Sequence, residues 1–103
     1  MIKTLTLSNG KQLTLKNSLG FKVRYQQHFG KPCDFAIAEV EKTQDTMVLV
    51  QIAYCMAQPV PSEDFEHFCD ELDGKDLMPI CETVMELYAD GMPTEKQLKK
   101  AKN

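Results

Sequence analysis

The sequence predicts an α+β domain that is mostly α, an N-terminal β-hairpin packed on a bundle of about four to five helices. Three observations carry this. Leucines alternate with threonines on both sides of Asn9-Gly10, the run from Met47 to Ala57 is apolar in all directions, and Phe65, Phe68, Cys69 and Leu72 recur at the spacing of one helical face. At 103 residues the chain has room for one domain with a modest core. We read residues 1–93 as that domain and 94–103 as a polar, Lys-rich, frayed tail.

Asn-Gly favours the positive φ angles of a two-residue type I′ turn, so Leu5, Leu7, Leu13 and Leu15 fall on the two strands it joins. A lone hairpin is marginal in water, so its leucine face needs cover. Asn17-Ser18 then offers an N-cap and Gly30 a stop for a segment in which Leu19 and Val23, and Phe21, Tyr25 and Phe29, lie four apart. The alternation of Leu19, Phe21, Val23 and Tyr25 also fits a strand; Gln26-Gln27-His28 and the placing of Gly30 favour helix. This aromatic stripe is the expected seat of the hairpin's leucines.

Asp34 to Lys42 reads as a short helix with Phe35, Ile37, Ala38 and Val40 as its apolar positions, broken by Thr43-Gln44-Asp45. Asp45 or Thr46 caps the following run, Met47 to Ala57, which reads as the central helix; its β-branched content leaves a strand alternative that its length disfavours. Gln51 is its sole amide and must face water or find a partner. Pro59 and Pro61 end it. Ser62 is the expected N-cap of an acidic helix beginning Glu63-Asp64, and Asp76 opens a final helix in which Ile80, Cys81, Val84, Leu87 and Tyr88 share a face. Thr94-x-x-Gln97 has the form of a capping box, with little apolar sequence after it.

Composition excludes several classes. The longest apolar stretch is eleven residues, against the ~20 that cross a bilayer, and Met1-Ile2-Lys3 does not open a signal peptide, so the expected place is the cytoplasm. Cys33, Cys55, Cys69 and Cys81 stand 22, 14 and 12 apart, without the paired spacing of a metal knuckle. We read them as reduced thiols and expect no metal and no cofactor. His28 and His67 lie in different elements, and Gly10-Lys11, Gly30-Lys31 and Gly74-Lys75 lack the rest of a phosphate loop. No motif of an enzyme remains, and no catalytic residue is assigned.

Net charge is −3, yet residues 1–33 carry six basic residues and no acid, while Glu63 to Asp90 holds ten acids against Lys75 alone. Blocks of opposite sign can pair within one fold, steer a charged partner or promote self-association. Nucleic-acid binding through the basic third is the rival reading; its charges are thinly spread over an acidic domain.

The ordered series is an Asn-Gly hairpin, Leu19-Gly-Phe-Lys-Val-Arg-Tyr-Gln-Gln-His-Phe-Gly30, a near-continuously apolar helix, Ser62-Glu-Asp-Phe-Glu-His-Phe-Cys-Asp-Glu-Leu-Asp73, an amphipathic helix and a Lys-rich tail. It resembles the small tail assembly chaperones of long-tailed bacteriophages and prophages, particularly those of Gram-positive hosts, over about residues 2 to 91. The resemblance implies a non-enzymatic protein in the cytoplasm of the bacterial host. Its partners would be the tape measure protein, kept soluble, and the tail tube protein that polymerises around it. It also implies two lengths made by frameshifting, for which the adjacent codons of Lys99-Lys100 are a candidate slip site. Among the six methionines, Met47, Met56, Met78 and Met85 are the candidate partner-binding residues, since an unbranched thioether repacks against varied partners; the same side chains equally fill cores.

Overall fold

In the computed structural model, residues 1–90 are described; the Lys-rich tail from 94 onward, with its Thr94-x-x-Gln97 capping-box pattern, lies outside them. The fold is α+β. Strands β1 (Ile2–Thr6) and β2 (Gln12–Lys16) form the hairpin, followed by α1 (Leu19–Phe29), α2 (Cys33–Thr43) and α3 (Met47–Met56). A two-residue strand β3 (Ala57–Gln58), α4 (Phe65–Asp70), a 3₁₀ turn (Gly74–Asp76) and α5 (Leu77–Asp90) complete the chain.

The hairpin is present, but its turn is not the expected two-residue type I′. Leu7 N–H donates to the Lys11 carbonyl at 2.7 Å and Gly10 N–H to the Leu7 carbonyl at 2.9 Å, enclosing a three-residue loop, Ser8-Asn9-Gly10. Gly10 alone in that loop has positive φ, +86°. The geometry is a tight turn followed by a left-handed glycine, the usual form of a three-residue hairpin loop. Facing of side chains explains the choice. The observed register sets Leu5 opposite Leu13 and Thr4 opposite Thr14, whereas a loop of Asn9-Gly10 alone would oppose leucine to threonine and put the leucines of the two strands on different faces. Leu7 therefore ends the strand rather than belonging to it, though its side chain is buried. Asn9 serves through its side chain: Oδ1 accepts from Lys11 N–H at 2.9 Å and Nδ2 donates to the Glu71 carbonyl at 3.2 Å.

Both segments whose strand alternative the sequence leaves open are helices. In α3, eight of ten residues are buried. That helix occupies the centre, with α1, α2, α4, α5 and β2 all packed on it. The amide of Gln51 finds its partner inside, accepting from the Tyr25 hydroxyl at 3.0 Å. Arg24 Nε donates to the Cys55 carbonyl at 2.9 Å, satisfying one of the carbonyls that the end of α3 leaves without a helical partner. Beyond Met56 the chain enters β3, which pairs with β2 through Thr14 and Leu15 and makes the sheet three-stranded in the order β1-β2-β3. Two residues are too few for a strand to be legible in the sequence.

Four expectations of packing are corrected. The hairpin rests on α3 and α5, not on the aromatic stripe of α1. Phe21 and Tyr25 are core, yet Leu19 and Val23 face outward at 81% and 57% exposure, because they lie off the side of α1 that packs on α3 and α2. In α2 the inward positions are Cys33, Ala36, Ile37 and Val40, an i, i+3, i+4, i+7 set, while Phe35 and Ala38 are exposed. The acidic helix α4 is only six residues, and its N-cap is Asp64, not Ser62: the Asp64 carboxylate accepts from His67 N–H at 2.9 Å. An aromatic chain holds α4 in place, with Phe65 against Phe29 and Tyr54 at 5.4 and 5.6 Å and Phe68 against Tyr54 at 5.2 Å.

The final helix follows its sequence pattern, with Ile80, Cys81, Val84 and Leu87 buried and Tyr88 partly so. Asp76, at its start, is the one buried charged side chain among the described residues. Its carboxylate accepts from Asp73 N–H at 2.9 Å, Ser8 N–H at 2.9 Å and the Ser8 hydroxyl at 3.1 Å. It thereby closes a capping box with Asp73 and fastens the hairpin turn to the start of α5. Asn17 Nδ2 donates to the Leu87 carbonyl at 2.8 Å and ties the other end of the hairpin to the far end of that helix.

Two predictions follow from this anchoring. A Cβ at Gly10 meets nothing within 4 Å, so Gly10→Val acts through φ alone and should lower unfolding free energy by about 1–3 kcal/mol in urea titration. The Asp73 N–H, with the Ser8 N–H and hydroxyl, holds the Asp76 carboxyl below its ordinary 3.8. Because the folded value is the lower one, this stabilisation is complete above about pH 4 and is lost as pH falls through the folded value. Asp76→Asn should lower the urea midpoint at neutral pH and flatten its decline below pH 4.

Candidate functional site

Among the described residues, an apolar groove of about 200 Å³ lies where the first turn of α3, the end of α4 and the first turns of α5 meet. Its walls are Met47 and Val50 from α3, Cys69 and Leu72 from α4 and the turn after it, and Leu77 and Ile80 from α5. The volume falls below the ~300–1,000 Å³ typical of small-molecule sites and suits side chains from a partner's helix better.

The four candidate methionines do not share one fate. Met47, at the start of α3, is 43% exposed on the lip of the groove. Met78 and Met85, 60% and 42% exposed, stand seven residues apart, two turns along one flank of α5. Between them lies Cys81, whose thiol is 4.0 Å from the Thr46 carbonyl oxygen, so this flank adjoins the residue next to Met47. Met56 is corrected: it is wholly buried, because a helix covered on all sides has no solvent face to offer. The flat apolar composition of residues 47 to 57 hid the difference between Met47, at an exposed end, and Met56, at an enclosed one.

The basic block pairs inside the fold, twice with the acidic block and twice with acids of α2. Lys11 reaches Glu71 at 3.2 Å, Lys22 reaches Asp34 at 3.1 Å, Lys31 reaches Glu39 at 3.3 Å, and Lys3 pairs with Glu86. With Arg24 turned to the end of α3, five of the six basic groups of residues 1–33 are engaged with protein partners. Asp34 also accepts from the Tyr88 hydroxyl, which holds its carboxyl below the usual range; burial, and then that bond, pushes the phenol up.

Burial raises all four thiols, Cys33 to about 11 and Cys55 to about 12, so they stay protonated at neutral pH and are poor nucleophiles. All four are free. His67 is exposed with its ring Nδ1 2.6 Å from Asp64 Oδ1, and that hydrogen bond raises its pKa; His28 sets its ring edge-on to Tyr54 at 5.4 Å. Among the described residues, no group of three or more His, Cys, Asp or Glu is placed to hold a metal ion, and no helix is long and apolar enough to cross a membrane. The chain matches no protein-family model, no curated protein and no solved structure.

The split among the methionines is measurable. Met56→Ala should cost about 2–5 kcal/mol in urea titration, the range for emptying a packed core site. Met78→Ala and Met85→Ala should stay within about 0.5 kcal/mol of the parent.

Proposed function

We propose that this chain is a non-enzymatic tail assembly chaperone of a phage or prophage. In this reading it acts in the cytoplasm of the bacterial host, holding the tape measure protein soluble until tail tube subunits assemble around it. The observation that carries the reading is the solvent-open apolar groove at the meeting of α3, α4 and α5, with the exposed thioether of Met47 on its lip and those of Met78 and Met85 exposed elsewhere on α5. Thioethers of this kind accommodate varied apolar partners. The order of elements that resembles the chaperones gives it its particular form, and the raised thiol pKa values fit a role in binding rather than in covalent chemistry.

Co-expression with the long helical protein encoded downstream is the test. The soluble fraction of that partner should rise several-fold with this chain and fall back with the double variant Met78→Lys/Met85→Lys, which leaves the core untouched. A partner no more soluble with this chain than without it, together with a coding sequence lacking a slippery site near Lys99, would overturn the proposal.

A further inference from the structure

We draw no further inference here: the strongest candidate, the apolar groove between α3, α4 and α5, belongs to the site already described, and nothing in the structure shows what covers it.

Discussion

Everything in this fold is arranged around the need to cover α3. A helix apolar on all sides cannot stay in water, and each flank of it needs a separate neighbour. The sheet supplies one through β2, and α1, α2, α4 and α5 supply the others. Few polar groups enter this interior, and among them Arg24 Nη2 has no partner among the described residues. Gln51 is met by the Tyr25 hydroxyl, and a carbonyl at the end of α3 is met by Arg24. Each bond satisfies a group whose burial alone would be costly. The cover is complete except near the first turn of α3, where α4 is short and the chain crosses to α5 through a 3₁₀ turn. The apolar groove lies at that gap.

Fastening the hairpin is a second requirement, since two strands and a two-residue third cannot hold themselves together. Leucines give β2 its seat on α3, and polar bonds fix where β1 lies along α5. Ser8 meets Asp76 at one end of that helix and Asn17 meets Leu87 near the other. The basic N-terminal third and the acidic C-terminal part are the electrostatic counterpart of the same docking, with Lys3 on Glu86 and Lys11 on Glu71. Such exposed pairs contribute little individually.

Several features of this architecture are legible in the residues by themselves. Leucine and threonine alternation around Asn9-Gly10 defines a hairpin because strand side chains alternate with period two. The unbroken apolar run from Met47 defines a central helix because no other placement removes that much surface from water. The inward face of α5 follows from Ile80, Cys81, Val84 and Leu87, since a long amphipathic helix has one way to turn. Methionine is exposed at Met47, Met78 and Met85 and buried at Met56, a difference that the residue type alone does not carry.

Only the tertiary structure decided the rest, wherever the choice depended on residues distant in sequence. Asn9-Gly10 admits two loop lengths, and the three-residue one prevails because the leucines of both strands must face the same helices. Ser62 and Asp64 are both good caps, and the start of α4 is set by where Phe65 and Phe68 meet Tyr54 and Phe29. Leu19 and Val23 carry the spacing of a core face, but among the described residues no element lies over that side of α1. The groove itself has no local signature, because its walls come from three elements and exist only once α3, α4 and α5 have been brought together around a helix that must be buried.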